Sequence, residues 1–281
     1  MPPHIVIPAR LASSRLPEKL LRIVAGRTIL QHTYQAVLRA VEDPQRITIA
    51  VDDQRLADAC DSFGANWKMT GVDCPSGTDR IAQVADVMHT ENPDTCPDAF
   101  VNVQGDEPEI AAQAIQLVCD LLQRHTDADM ITVATPIREC QRLDDPSVVK
   151  IAIAANGDAN DTSENDCIGR AIYFSRSPIP HVRDTTREDA LQHHPPIYWH
   201  HLGLYGYRRE FLQWFATAPP SPLEQRERLE QLRAIESGKQ ILLGRIDQSA
   251  PGIDTPADLQ AFEQRIKSES KSITAGNHHA G

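Results

Sequence analysis

The chain has 281 residues, 41% of them hydrophobic and 5% aromatic, with a formal net charge of −11. That length allows one large domain or two small ones, and the acidity excludes nucleic acid as a general partner, because no basic stripe would neutralise phosphates. No apolar run nears the roughly 18–20 residues of a membrane helix, and MPPHIVIPAR lacks a basic stretch followed by a signal-length apolar one. The expectation is a soluble cytoplasmic protein whose six scattered cysteines (Cys60, Cys74, Cys96, Cys119, Cys140, Cys167), none in a CxxC pair, stay reduced.

HIVIPA (4–9) is a short apolar run ending near Pro8, a buried-strand pattern. The segment after it, PARLASSRLPEKLL (8–21), carries Arg10, Arg15 and Lys19 among small residues. Residues 1–40 hold six basic side chains and one acid, Glu18. Such a cluster on an acidic body fits a local anion site, and it fits plain solubilising charge about equally well. Helical spacing follows over 28–42, a β-branched strand pattern over 46–53, and a helix over 54–64 that Gly64 stops. Residues 78–89 read as a helix, 98–108 as a strand running into a Gly–Asp–Glu–Pro turn, 111–124 as a helix and 129–137 as a strand.

This alternation predicts an α/β fold of three layers, a mostly parallel sheet with helices on both faces. Ligands in such sheets bind at the carboxyl ends of the strands. Both the cationic loop and the GDE turn fall there. Residues 148–175 predict two strands joined by a polar connection over 156–168, and 193–211 a strand feeding a helix. These read as hairpins beside the main sheet, a smaller β-rich subdomain over about 148–215. A strong helix is predicted over 223–238, a last strand over 240–246, and a helix over 254–266 with Asp254 or Thr255 as cap and Pro256 in its first turn. One domain spans 1–267, and the polar tail 268–281 is expected to be disordered.

Four segments carry chemistry. In the opening loop, Ala9, Ala12, Ser13 and Ser14 let backbone N–H groups approach phosphate oxygens. Arg10 and Arg15 offer planar forks, and Lys19 a point charge. The loop has neither GxxxxGK[ST] nor GxGxxG. In VNVQGDEP, Asp106 is a carboxylate at the end of a buried strand, where Mg²⁺ binding through one or two carboxylates plus substrate phosphates is one reading and a turn aspartate the other. In GIDTPADL, Asp254 is a second such carboxylate or a helix cap. In CPSGTDR, Ser76–Gly77–Thr78 opens a helix whose N–H groups face an anion or a base edge, or merely cap it. The pairs His193–His194 and His200–His201 suggest a transition-metal site only weakly, because their spacing is irregular.

Together with YFSRSPIP, HHLGLYGYRREFL and SPLEQRERLEQLR, these segments occur in an order that resembles the 3-deoxy-manno-octulosonate (Kdo) cytidylyltransferases, the CMP-Kdo synthetase family, over residues 4 to 266. The resemblance implies a nucleotide-diphospho-sugar-transferase-like fold whose β-rich part serves dimerisation and sugar binding, and a homodimer. It implies Mg²⁺-dependent cytidylyl transfer from CTP to Kdo for lipopolysaccharide synthesis, with Lys19, Asp106 and Asp254 as the catalytic residues. By resemblance Ala9, Arg10, Ser14, Arg15 and Lys19 hold the CTP phosphates. Ser76, Gly77, Thr78 and Arg80 form the cytidine and ribose site, and Asp106 and Asp254 bind the metal. Gln104, Arg176, Arg183, His201, Tyr205, Glu230 and Gln231 surround the sugar, where an arginine would suit its carboxylate. The family's loop reads Pro–Gly–Lys where this chain has Pro17–Glu18–Lys19, so Glu18 is expected to face water. The same residues leave open a related acid sugar (8-amino-Kdo or sialic acid), or a nucleotide-binding regulator without turnover.

Overall fold

The structure, a computed structural model, describes residues 1–154, 167–247 and 251–276. Strand β1 (His4–Ala9) alternates its side chains between two faces, with Ile5 and Ile7 on one and Val6 on the other. A loop and a two-strand ribbon, β2 (Ile23–Val24) and β3 (Arg27–Thr28), lead to α1 (Ile29–Val41), capped by Thr28. Next come β4 (Ile47–Val51), α2 (Gln54–Ser62), β5 (Trp67–Met69), α3 (Gly77–Glu91), β6 (Ala99–Asn102), α4 (Ala112–Arg124) and β7 (Met130–Pro136). Apart from β2, β3 and β5, which the sequence pattern did not predict, these match the expected elements to within a few residues. The second half holds α5 (Cys140–Asp144), β8 (Lys150–Ala154), β9 (Cys167–Ser175), α6 (Arg187–Gln192), β10 (Trp199–Arg208), α7 (Arg209–Thr217), α8 (Pro222–Glu227), α9 (Gln231–Glu236), β11 (Ile241–Arg245) and α10 (Pro256–Gly276).

Nine strands form one sheet in the order β5-β4-β1-β6-β10-β7-β11-β9-β8. The period of two divides the core in two. Ile5, Ile7, Ile49, Val101 and Ile131 pack against α1, α2 and α4 on one face; Val6, Phe100, Met130 and Leu243 pack against α3 and α7 on the other. Four of the eight neighbouring pairs are parallel (β5–β4, β4–β1, β1–β6, β7–β11) and four antiparallel, so the sheet is evenly mixed rather than mostly parallel.

The expectation of hairpins beside the main sheet holds for β8 and β9, which pair antiparallel at its end, and is corrected for β10. Strand β10 lies inside the sheet, antiparallel to both β6 and β7. The crossover from β6 through α4 to β7 skips one strand position, and β10 fills it. Gly206 makes this possible, because a Cβ there would lie 2.7 Å from both Val118 and Leu122 of α4. A bridge between Lys150 and His200 links β8 back to β10 and curls that half of the sheet. The 156–168 connection lies outside the described residues, apart from its last two, which belong to β9.

Two helices also differ from expectation. The helix read over 223–238 is two, α8 and α9, because Arg228 takes a left-handed φ of +56° and interrupts it. Its helical spacing continues across the break, so only contacts from elsewhere explain it. Of the tail 268–281, expected to be disordered, residues 268–276 continue α10, and 277–281 lie outside the described residues.

Candidate active site

The carboxyl ends of β1 and β6 open onto a cavity of about 270 Å³, and the β10 side of the sheet onto a second of about 620 Å³. Arg10, Ala12, Ser13 and Lys19 from the opening loop line the smaller one, with Ser76 and Gly77 from the start of α3. Asn102, His201, Tyr205 and Gln231 line the larger. Gly77, Gln104, Asp106, Glu230 and Asp254 line both, so the two cavities meet along these residues.

Asp106 and Asp254 lie at this junction for local reasons. The GDE turn folds tightly under β1: a Cβ on Gly105 would stand 2.9 Å from the Pro8 carbonyl, so the close approach requires glycine. Thr33 of α1 fixes the turn by donating to the Gly105 carbonyl at 2.8 Å. The segment before α10 docks on the same turn, with the Ile253 N–H donating to the Asp106 carbonyl at 2.9 Å. Thr255 caps α10, accepting from the Asp258 N–H at 3.2 Å while the Asp258 carboxylate accepts the Thr255 N–H at 2.8 Å. That leaves the Asp254 carboxylate for the site, where it meets the Arg15 guanidinium at 3.3 Å.

Lys19, whose side chain is 11% exposed, points its Nζ between the two carboxylates. It is bonded to Asp106 Oδ2 and stands 3.0 Å from Asp254 Oδ1. Two carboxylates thus converge on one cationic point. The donor set is hard oxygen only, and among the described residues no cluster of three or more His, Cys, Asp or Glu side chains forms a ready metal site. Two carboxylates, with the remaining positions left for phosphate oxygens and water, match how Mg²⁺ is usually bound.

The larger cavity is a hydrogen-bonded, mostly uncharged pocket. His201 is buried, with Nε2 3.1 Å from Thr132 Oγ1 and Nδ1 3.4 Å from Gln231 Nε2. Burial, assisted by the neighbouring His200 ring, pushes its imidazole down to about 3, so it stays neutral and orients rather than transfers protons. Thr78 opens toward this pocket, its hydroxyl 3.2 Å from the Tyr207 hydroxyl and 3.3 Å from Glu230 Oε2. Burial raises the Glu230 carboxyl. The break at Arg228 turns Glu230 and Gln231, which an unbroken helix would set among solvated neighbours, into this wall. His200 is bonded to Arg142, and His194 lies 3.5 Å from Arg138.

Several sequence-predicted residues stand elsewhere. Arg183 is 88% exposed and paired with its neighbour Asp184. Arg176 lines neither cavity; its guanidinium donates to the carbonyls of Glu227 at 2.7 Å and Pro146 at 2.9 Å, bracing the α8–α9 break. An arginine that close in sequence to a strand end resembles a carboxylate clamp, and only the fold reveals its carbonyl partners. Ser14 is exposed and lines neither cavity, and Ala9 is buried at the end of β1. Arg80 borders the smaller cavity with its guanidinium engaged by Thr70 Oγ1 at 2.5 Å and Asp52 Oδ2 at 3.2 Å. Sequence reasoning missed Glu107, which lines the larger cavity; burial and then the charges of Asp106 and Asp254 push it up to about 7. The signal was its place beside Asp106 in GDEP.

An α/β sheet with a cationic loop after its first strand, and two carboxylates where a second cavity joins the first, suits an enzyme that brings an anionic substrate against a second one. The cytidylyltransferase family profile matches residues 4–241. A 3-deoxy-manno-octulosonate cytidylyltransferase of Rhodopirellula baltica is 51% identical, covering 94% of this chain and 98% of the relative. One of Halorhodospira halophila is 40% identical, covering 94% and 96%. A solved CMP:2-keto-3-deoxy-manno-octonic acid synthetase complexed with CTP superposes with a TM-score of 0.79 at 34% identity, covering 96% of this chain and 100% of that one. The chain belongs to the cytidylyltransferase family.

Proposed function

We propose that this protein transfers the cytidylyl group of CTP to 3-deoxy-manno-octulosonate, releasing diphosphate, in a pathway toward lipopolysaccharide. The observation that carries this reading is the meeting of the two cavities at Asp106 and Asp254, with the cationic loop on one side and a neutral hydrogen-bonding pocket on the other. The names of the relatives, one of them a structure complexed with CTP, supply the donor and acceptor.

Both reactants are anions, so their repulsion must be overcome before a hydroxyl can approach the α-phosphorus. Arg10, Arg15 and Lys19 neutralise the triphosphate and the departing diphosphate. Ser76 and Gly77 at the start of α3 face the nucleotide side. Gln104, Tyr205, Glu230 and Gln231 hold the polyol, with the His201 ring fixing Gln231. The acceptor hydroxyl oxygen forms a bond to the α-phosphorus, the bond to the β-phosphate bridging oxygen breaks, and the hydroxyl proton passes to solvent. Catalysis is then mainly positioning and charge stabilisation, as in phosphoryl transfer generally. Asp106 and Asp254 would hold Mg²⁺, which supplies neutralisation of the α-phosphate and acidifies the attacking hydroxyl. A second Mg²⁺ would travel with the triphosphate.

We further read the enzyme as a cytoplasmic homodimer, since CTP is a nucleotide of the cell interior. The β8–β9 hairpin ends the sheet and leaves Ile172 half exposed, which supports a contact there. Diphosphate release with CTP, Mg²⁺ and a panel of Kdo, 8-amino-Kdo and sialic acid tests the reaction, with CTP alone as control. Release with Kdo is expected. Release with another acid keeps the mechanism and changes the substrate, and CTP binding without release to any acid makes the chain a regulator.

A further inference from the structure

Residues 52–55, the turn after β4 and the first two residues of α2, lie outside both cavities yet touch the cationic loop at both of its ends. At the front, Asp52 Oδ1 accepts the Leu11 N–H at 2.9 Å, one residue after Arg10. The other oxygen of Asp52 meets Arg80 of α3 at 3.2 Å, and Arg80 also holds Thr70, whose hydroxyl donates to the Val51 carbonyl at 2.9 Å. The Asp52 and Arg80 side chains are 10% and 4% exposed. A buried pair of this kind persists only when both partners are satisfied, and removing one leaves an uncompensated charge. Here the pair joins the end of β4 to the loop and the start of α3, two of the pieces around the smaller cavity.

At the back of the loop, Glu18 Oε1 accepts from Arg55 Nη1 at 2.7 Å, and Arg55 is steadied in turn by Asp53 at 3.2 Å. Glu18 has a φ of +51°, a left-handed conformation that glycine adopts freely and a glutamate adopts only with compensating contacts. Its carboxylate points away from the cavity to Arg55, and the next residue, Lys19, points into it.

We propose that the β4–α2 turn is the positioning element of the nucleotide loop: Asp52 sets the height of the Arg10 end, and Arg55, through Glu18, sets the Lys19 end. In this chain the Glu18–Arg55 pair does by attraction what a glycine at that position does by conformational freedom. The inference rests on the smaller cavity being the CTP side.

The test is CTP affinity by calorimetry and the acceptor KM by diphosphate release, for the wild type and for Asp52→Asn, Arg55→Ala, Glu18→Ala and the Arg55→Ala/Glu18→Ala double variant. Asp52→Asn weakens CTP binding by at least about tenfold, the scale of one charged hydrogen bond. Arg55→Ala weakens it by roughly twofold to fivefold, Glu18→Ala does the same, and the double variant is no worse than either single one. The acceptor KM stays within about twofold throughout, and amide exchange quickens at Leu11 in Asp52→Asn. If Asp52→Asn does not fold, the exposed pair decides alone. Unchanged CTP affinity in Arg55→Ala, or equal losses for CTP and acceptor, overturns the inference. A folded wild type that binds no CTP overturns instead the assignment of the cavity.

Discussion

The two halves of the site are made of opposite materials. The nucleotide half is a cationic loop, with Arg15 65% and Lys19 11% exposed, tied at its ends by charged contacts. The acceptor half is a set of buried groups bonded mainly to one another: His201, Thr132, Gln231, Thr78 and Tyr207. A triphosphate carries its own high charge and needs neutralisation from cations that reach it at the cavity's edge. A polyol needs fixed directions, which a desolvated network supplies because every misplaced bond there is expensive. Asp106 and Asp254 stand where the halves meet and serve both.

This contrast predicts a hierarchy of effects. Asp106→Asn and Asp254→Asn each lower turnover on the order of 10²–10³-fold while CTP still binds, since an electrostatic stabiliser of the reacting centre is lost; steady-state diphosphate release beside CTP calorimetry separates the two. Gln231→Ala raises the acceptor KM by about tenfold and leaves CTP affinity within about twofold, the scale of an unpaired polar group in a specificity pocket. Equal shifts for both substrates would erase the division between the cavities. Arg176→Ala lowers stability by about 1–3 kcal/mol through its lost bonds to the Glu227 and Pro146 carbonyls, visible as a lower denaturation midpoint. Arg183→Ala leaves both KM values within about twofold.

Stability also depends on pH through buried rings. Burial pushes His4 down to about 4 and His201 to about 3. In the unfolded chain both protonate near 6.5, so that state takes up protons first as the pH falls. Stability is therefore full above about pH 7 and declines from about 6.5 toward 4 for His4 and toward 3 for His201. The slope is about 1.4 kcal/mol per pH unit for each ring. Thermal melts between pH 7 and 5 should show this decline, and His4→Gln should make it shallower by about 1.4 kcal/mol per pH unit while His201 keeps its share; an equally steep decline in that variant would mean the His4 ring's burial does not contribute to it.

The same division explains what could be read in the sequence. The nucleotide half is made of contiguous stretches: the loop after β1, SGT at the start of α3 and GDEP after β6. Each is a strand end or helix start followed by polar residues, and local pattern reveals that. The acceptor half depends on partners far apart in the chain. Strand β10 shows its alternation but not that it slots between β6 and β7, because the vacancy is created by the α4 crossover. The residues 223–238 keep a helical period through Arg228, so nothing local marks the break that turns Glu230 and Gln231 inward. Arg176 and Arg183 have the chemistry for a carboxylate, and only their carbonyl and solvent surroundings set them apart from it. Asp52 reads as a strand-ending acid, and its bond to Leu11 spans 41 residues.

The most direct test of the account is a structure of the enzyme with CTP and an acceptor analogue that lacks the attacking hydroxyl. The cytosine and ribose are expected beside Ser76 and Gly77, the analogue among Gln104, Tyr205 and Gln231, and the α-phosphorus between them at Asp106 and Asp254. A nucleotide lying in the larger cavity, or an α-phosphate remote from both aspartates, would contradict it.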